Sequence, residues 1–135
     1  YLYTDGGSRG NPGPSAIAAF IFDDQNKLVD LTGIYTSIGT NNRAEYLALI
    51  SGLRLLRKND IKEVTCCLDS ELVVKQINGQ YKVKDSEIQK MHILIKDEIK
   101  FFKSITFKHV PRAENHFADK LVNIILDNVE ISKTA

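Results

Sequence analysis

The chain has 135 residues, of which 43% are hydrophobic and 26% are charged, so it is long enough for one hydrophobic core and too short for two. Its formal charge is only +1, which lacks the strongly basic balance typical of nucleic-acid-binding proteins. No segment reaches the roughly 18 apolar residues of a membrane span, and the start lacks the regions of a signal peptide. We therefore expect a single cytoplasmic domain over residues 1–135, monomeric and without a membrane partner.

Three strands are predicted in the amino-terminal part of the chain. A short strand covers residues 1–4 and is stopped by a glycine pair, a nearly all-apolar strand covers residues 16–22, and a mixed strand covers residues 27–35. The polar residues 23–26 between the last two strands predict a hairpin.

Helices and strands alternate in the rest of the chain. A first helix begins after Thr40-Asn41, either of which can cap it. The other predicted elements are a strand at 64–68, helices at 70–77 and 85–102, a strand at 105–110 and a helix at about 113–127. Helical spacing gives the core faces of the last two helices as Ile88, Met91, Ile95, Ile99 and Phe102, and as Phe117, Leu121, Ile124 and Ile125. This order predicts an α/β fold with helices on a mixed sheet.

The only two cysteines, Cys66 and Cys67, are adjacent in a predicted strand. Their side chains therefore point to opposite faces of the sheet, which suits neither a stabilising disulfide nor a tetrahedral zinc site. We expect both to be buried and reduced.

Glu45 is a charged residue on an apolar face. At 100° per residue it shares a stripe of the first helix with Ala48, Leu49, Gly52 and Leu56. An unpaired charge in such a stripe would cost several kcal/mol, so a cation should meet Glu45. A buried arginine in a structural salt bridge and a metal ion are both consistent with this pattern.

Three other carboxylates occupy the ends of predicted elements. Asp5 precedes the glycine pair, where Asp commonly forms a turn, and Asp69 precedes Ser70, where it could simply cap a helix. Asp119 lies away from the predicted apolar side of the last helix, as a solvated carboxylate would. Taken singly, these residues do not establish a site.

Four blocks, taken together and in order, resemble the type 1 ribonuclease H family. They are residues 4–14, residues 40–45, Asp69-Ser70, and His109 with Asn115 and Asp119. The resemblance covers nearly the whole chain. The short segments 76–87 and 109–115 are most similar to the compact members that lack a long basic protrusion.

The resemblance implies a ribonuclease H-like fold, in which a five-stranded mixed sheet, three antiparallel strands followed by two parallel ones, is flanked by helices. Asp5 and Asp69 would lie on neighbouring strand ends, with Glu45 on the first helix and Asp119 on the last. Together they would hold two Mg²⁺ ions about 3.5–4 Å apart, with Mn²⁺ as a substitute. The implied activity is endonucleolytic hydrolysis of the RNA strand of RNA–DNA hybrids, leaving 5′-phosphate and 3′-hydroxyl ends. Double-stranded RNA is a further candidate substrate.

The resemblance also assigns supporting residues. Gly10, Asn11 and Asn42 would contact 2′-hydroxyl groups of the RNA strand, and Thr40 would contact a DNA-strand phosphate. His109 would assist proton transfer or product release. Turn and cap chemistry explains Gly10, Asn11 and Asn42 without a ligand, and a structural role at a strand end explains His109 equally well.

The chain departs from the family pattern near Thr40, where Ile38 and Asp85 replace the usual residues. An acidic side chain facing a phosphate is unfavourable, so the substrate preference is a weaker expectation than the chemistry. The lysines of segment 75–84, with Tyr81, form either a surface for the hybrid or a solvated charge run.

Two alternatives stay open at this point. One is a catalytically silent module that binds hybrid or RNA, which would show binding without metal-stimulated cleavage. The other is a ribonuclease H domain of a reverse transcriptase, which sequence beyond residues 1–135 would reveal.

Overall fold

The computed structural model describes residues 1–134 and the side chains of residues 1–130. Its elements, in chain order, are β1 (Leu2–Ser8), β2 (Gly13–Phe22), β3 (Leu28–Gly39), α1 (Asn41–Lys58), β4 (Glu63–Leu68), α2 (Glu71–Ile77), α3 (Ser86–Ile99), β5 (Ser104–His109), a 3₁₀ turn (Arg112–Asn115) and α4 (His116–Thr134). The strands form one sheet in the order β3-β2-β1-β4-β5. The first three are antiparallel and β4 and β5 run parallel to β1, which confirms the predicted mixed sheet.

Helices cover both faces of this sheet. Apolar residues of α1, α2 and α3 form the larger core on one face, together with Leu2 of β1 and Cys66 of β4. On the other face, α4 packs through Ala118, Val122 and Leu126 on the small residues of β2. The central strands are therefore buried on both sides, which explains their nearly continuous apolar sequence.

The predicted core face of this helix is confirmed over α3, because Ile88, Met91 and Ile95 are buried and Ile99 is partly buried. Phe102 is also buried, but it lies beyond the helix, which ends at Ile99 and not at residue 102 as predicted. The cysteines are also buried and free, as predicted. Within residues 1–134, no helix is both long and apolar enough to cross a membrane.

The predicted end of β1 is wrong. The strand continues through Gly6 and Gly7 to Ser8, because both glycines pair with β2, opposite Ile17 and Ala16. Asp5 therefore lies inside β1 and not at its end. Likewise, β3 continues past residue 35 to Gly39 after an irregularity in its pairing with β2.

The predicted apolar side of α4 is also partly wrong. Phe117 and Ile124 are 51% and 46% exposed, and the buried row is one residue further along the helix. This rotation of the helix places Asp119 beside the buried Ala118 and Val122 and not in open solvent. The helix also begins later than predicted, after the 3₁₀ turn, and extends beyond Asp127.

Candidate active site

Asp5 and Asp69 are brought together by the pairing of two parallel strands. Thr4 of β1 lies opposite Leu68 of β4, so the next residue of each strand is one of the two aspartates. Asp69 follows the end of β4 directly, and Ser70 caps the short helix α2 by accepting a hydrogen bond from the Val73 N–H at 3.3 Å. The strand register therefore fixes the spacing of the two carboxylates.

Glu45 reaches the same place because α1 lies directly against β1. A Cβ atom added to Gly6 would lie 2.2 Å from the carbonyl oxygen of Ala44, so only glycine allows this approach. The first turn of α1 is fixed by Thr40, whose Oγ1 accepts a hydrogen bond from the Arg43 N–H at 3.2 Å. As a result, Glu45 lies close to the Asp5 carboxylate.

The three carboxylates form a compact cluster. Asp5, Glu45 and Asp69 each offer an oxygen atom within 4.8 Å of the other two. Asp119 lines the same open cavity of about 380 Å³ but is not a member of this tight group. Instead, Asp119 Oδ1 accepts a hydrogen bond from Arg112 Nη2 at 3.1 Å. The structure thus brings all four predicted carboxylates to one cavity, three of them within mutual reach of a single cation.

The cluster is electrostatically unfavourable without a cation. Burial, followed by the charges of Asp69 and Asp119, raises the pKa of Asp5 from 3.8 to about 8. Burial, followed by the charges of Asp5 and Asp69, raises the pKa of Glu45 from 4.5 to about 9. The pKa of Asp69 is raised mainly by burial. Over residues 1–130, no lysine or arginine forms an ion pair with Asp5, Glu45 or Asp69, so the structural salt bridge considered for Glu45 is not formed among these residues.

Two residues that interact with the carboxylates, Arg112 and Asn115, were not predicted as site residues. Arg112 binds Asp119, and its positive charge opposes the rise in the pKa of Asp5 and of Asp69. Asn115 is 1% exposed, and its Nδ2 donates to the Thr4 carbonyl oxygen at 2.8 Å. A hydrogen bond from Asn115 also lowers the pKa of Asp69. Both lie in the segment 109–115 that resembles the family, but only the tertiary structure shows what they contact.

The predicted substrate residues lie around the amino-terminal end of α1. Asn11, Thr40 and Asn42 line a second cavity, next to the one that holds the carboxylates. Asn11 Oδ1 accepts a hydrogen bond from the Asn41 N–H at 3.1 Å, and Asn41 Oδ1 accepts one from the Ser8 N–H at 2.9 Å. The Asn11 side chain therefore already makes a structural contact without a ligand, and Asn41, which was expected only as an alternative cap, links β1 to the start of α1.

The other predicted substrate position, Gly10, has a φ of +95°, a conformation that favours glycine. A Cβ atom there would also lie 2.9 Å from the Pro12 carbonyl oxygen. The backbone of the loop alone therefore explains this glycine, and its contact with RNA stays a prediction.

Asp85 faces the same second cavity as Thr40, as its sequence position indicated. Its carboxylate caps α3 by accepting hydrogen bonds from the N–H groups of Glu87 and Ile88 at 2.9 and 3.1 Å. Across this cavity, Arg43 and Glu87 form an ion pair at 2.9 Å. The cavity therefore contains both acidic and basic groups.

His109 is exposed at the end of β5, opposite Leu68 of β4. It is one strand away from Asp69 and is not among the residues that line the carboxylate cavity. Its role in proton transfer or product release stays a prediction.

The lysines of segment 75–84 are only partly available. Lys75 forms an ion pair with Glu71 at 2.6 Å and donates to the Tyr81 hydroxyl at 3.3 Å, whereas Lys82 and Lys84 are exposed. A contact between this segment and nucleic acid also stays a prediction.

Comparison with known proteins places these observations in a family. The family described as reverse transcriptase-like matches residues 3–124. A bifunctional protein of Mycobacterium tuberculosis is 39% identical over 136 residues, which cover 99% of this chain and 37% of that protein. Ribonuclease HI of Halobacterium salinarum is 34% identical over 128 residues, 95% of this chain and 64% of that enzyme. The chain thus spans about a third to two thirds of the length of these curated relatives.

A solved structure also resembles this fold closely. LC11 ribonuclease H1 in complex with an RNA/DNA hybrid superimposes with a TM-score of 0.90 at 38% identity, and the match covers 95% of this chain and 96% of that one.

Proposed function

Because the chain belongs to the type 1 ribonuclease H family, we propose that it is a metal-dependent endoribonuclease that hydrolyses the RNA strand of RNA–DNA hybrids. The observation that carries this proposal is the cluster of Asp5, Glu45 and Asp69, whose oxygen atoms lie within 4.8 Å of one another. A protein gains no stability from three converging carboxylates, so their arrangement is explained best by a bound cation.

The donor set fits a hard divalent cation. All the candidate ligands are carboxylate oxygens, which suit Mg²⁺ or Mn²⁺ and not zinc. Asp5, Glu45 and Asp69 would hold one ion, and Asp119, which lines the same cavity, would contribute to holding a second. When bound, Mg²⁺ lowers the pKa of an attacking water and stabilises the charge that develops on the departing 3′ oxygen.

The side chains of this chain have separate tasks in the proposed reaction. Because the pKa values of Asp5 and Glu45 are raised, a bound cation is needed to keep both carboxylates ionised at neutral pH. Arg112 holds Asp119 at the rim and adds positive charge where a phosphate would approach. Asn115 links Asp69 to the β1 backbone, because it hydrogen-bonds both the Asp69 carboxylate and the Thr4 carbonyl oxygen.

The neighbouring cavity at the start of α1 is the proposed recognition surface. Asn11, Thr40 and Asn42 line it, one helix turn from Glu45, so a duplex in the carboxylate cavity would also reach this end of α1. Contact with 2′-hydroxyl groups here would select the RNA strand. Attack of water on the phosphorus with departure of the 3′ oxygen would leave 5′-phosphate and 3′-hydroxyl ends at the cut. Double-stranded RNA, which shares those groups, is the second substrate to compare.

The test is cleavage of end-labelled RNA–DNA hybrid, double-stranded RNA and double-stranded DNA in Mg²⁺, Mn²⁺ or EDTA. We expect metal-dependent cutting of the RNA strand, abolished in Asp5→Asn and retained in Asp30→Asn. Asp30 is a suitable control because it is an aspartate that hydrogen-bonds Asn59 far from the cavity. Binding of the hybrid without any metal-stimulated cleavage would overturn the proposal and favour the silent binding module.

A further inference from the structure

Arg9 joins the loop after β1 to the carboxyl-terminal half of α4. Its guanidinium forms ion pairs with Asp127 at 2.6 Å and Glu130 at 3.0 Å. Its other terminal nitrogen donates to the backbone oxygen and to Oδ1 of Asn123, at 3.4 and 3.3 Å. The three acceptor residues are spaced at i, i+4 and i+7, so they lie on one face of α4. One side chain thus crosses from the loop to three consecutive turns of a helix.

The two partners in this contact are not equally fixed. The helix is anchored independently, because Ala118, Val122 and Leu126 are buried against β2. The loop has no such core and is exposed from Gly10 to Pro12. The guanidinium therefore restrains the loop against the helix, and losing it would free the loop and leave α4 in place.

The restrained loop is next to both cavities. Arg9 lines the carboxylate cavity, and the following residues Gly10 and Asn11 are the predicted contacts with the RNA strand. The restraint continues into α1, because Asn11 Oδ1 accepts a hydrogen bond from the Asn41 N–H. A displacement of the loop would therefore move the recognition surface but not the carboxylates, which are held by β1, β4 and α1.

We propose that Arg9 is a positioning residue for substrate binding: it fixes the loop of Gly10 and Asn11 against α4 in the geometry that receives the RNA strand. Arginine suits this task because its planar group binds several acceptors in a fixed orientation, whereas lysine presents a single point charge. The inference deepens the proposed function and rests on it, because the loop matters to kinetics only if the hybrid is the substrate.

The proposal predicts that loss of Arg9 raises KM and leaves kcat almost unchanged. If the loop must be ordered on each binding event, KM for the hybrid should rise about fivefold to thirtyfold in Arg9→Met. This factor corresponds to the entropic cost of fixing the backbone of one residue. The value of kcat should stay within about twofold, because the carboxylate cluster is unchanged. Arg9→Lys, which retains the charge, should show an intermediate KM. The pair Asp127→Asn with Glu130→Gln, at the other end of the contact, should raise KM in the same way and add little to Arg9→Met.

The matched control is Arg57→Met. Arg57 of α1 forms an ion pair with Glu98 of α3 at 3.0 Å and lies over the ring of Phe101. None of these three residues lines either cavity. Arg9→Met removes two surface ion pairs and Arg57→Met removes one, so both should change Tm by small amounts. Only Arg9→Met should change KM.

Amide hydrogen exchange gives a readout that does not need catalysis. In Arg9→Met, exchange at the Arg9 and Asn41 amides, which donate to Pro14 O and Asn11 Oδ1, should accelerate by about tenfold or more, and that of β4 should not. Unchanged loop exchange together with an unchanged KM would overturn the proposal, as would a fall in kcat with KM constant. If the wild-type protein does not cut the hybrid, the proposed function fails, and faster loop exchange would still establish Arg9 as the restraint.

Discussion

Replacing Asp5 by asparagine should stabilise the metal-free protein while removing its activity. Asp5 is 7% exposed and its carboxyl group lies beside Glu45 and Asp69, so its charge is opposed by burial and by its neighbours. Asparagine has nearly the same shape and no charge. The substitution therefore removes the repulsion and leaves the packing of β1 intact.

The magnitude follows from the pKa of Asp5, which is about 8 in the folded protein against an ordinary 3.8. Because the folded state holds this proton when the unfolded chain has lost it, stability is lost as the pH rises from about 4 to about 8. At 1.36 kcal/mol per pKa unit, the difference between 3.8 and pH 7 sets an upper bound of about 4 kcal/mol. Part of the repulsion persists between Glu45 and Asp69, so we expect a gain of about 1–3 kcal/mol, or about 4–10 °C in Tm.

The assay is urea or thermal unfolding followed by far-ultraviolet circular dichroism, in EDTA, at pH 4.5 and pH 7.5. The advantage of Asp5→Asn over the wild type should be small at pH 4.5 and largest at pH 7.5. Adding Mg²⁺ should raise the Tm of the wild type and not that of the variant, since only the wild type has the full ligand set. The control Asp30→Asn should show no such gain, because the Asn59 hydrogen bond lowers the pKa of Asp30. If Asp5→Asn were less stable than the wild type in EDTA at pH 7.5, the electrostatic account of the cluster would be refuted.

Two further substitutions test the contacts that build the site. Gly6→Ala should destabilise the protein by at least about 3 kcal/mol, because its Cβ would overlap the Ala44 backbone. The control Gly7→Ala should change stability by less than about 1 kcal/mol, because its Cβ would meet only a side-chain methyl at 3.6 Å. Comparison of the Tm values of the two variants tests this prediction. Asn115→Ala should cost about 2–3 kcal/mol in urea unfolding, because it leaves the Thr4 carbonyl without its buried donor, and a loss below about 0.5 kcal/mol would show that this hydrogen bond is not needed.

Hydrophobic periodicity predicted the core-facing residues correctly in helices that bury a single apolar face. The apolar stripe of α1 correctly indicated that Glu45 faces the core, and the stripe of α3 correctly gave its buried residues. Periodicity misled for α4, because Phe117 contacts other aromatic rings at the protein surface while staying half exposed. That error made Asp119 look solvated when it lines the cavity.

Contacts between distant segments could not be predicted in the same way. Gly6 resembled a strand breaker in the sequence, yet it is a paired strand residue whose missing side chain admits α1. The partners of Arg9 and Asn115 lie more than a hundred residues away, and no local pattern specifies them. The family resemblance located the four carboxylates, whereas these neighbouring contacts required the structure.

The contacts that align Asp5, Glu45 and Asp69 are themselves uncharged. Asp5 and Asp69 are aligned by strand pairing, Glu45 by the close approach of α1 to Gly6, and the β1 backbone by the amide of Asn115. None of these contacts changes when a carboxyl group gains a proton or a cation. The repulsion within the cluster therefore lowers the global stability of the protein and does not move the carboxylates apart. The ligands are thus in place before the metal binds. A site built in this way should lose stability when the metal is removed, while its strands keep their register.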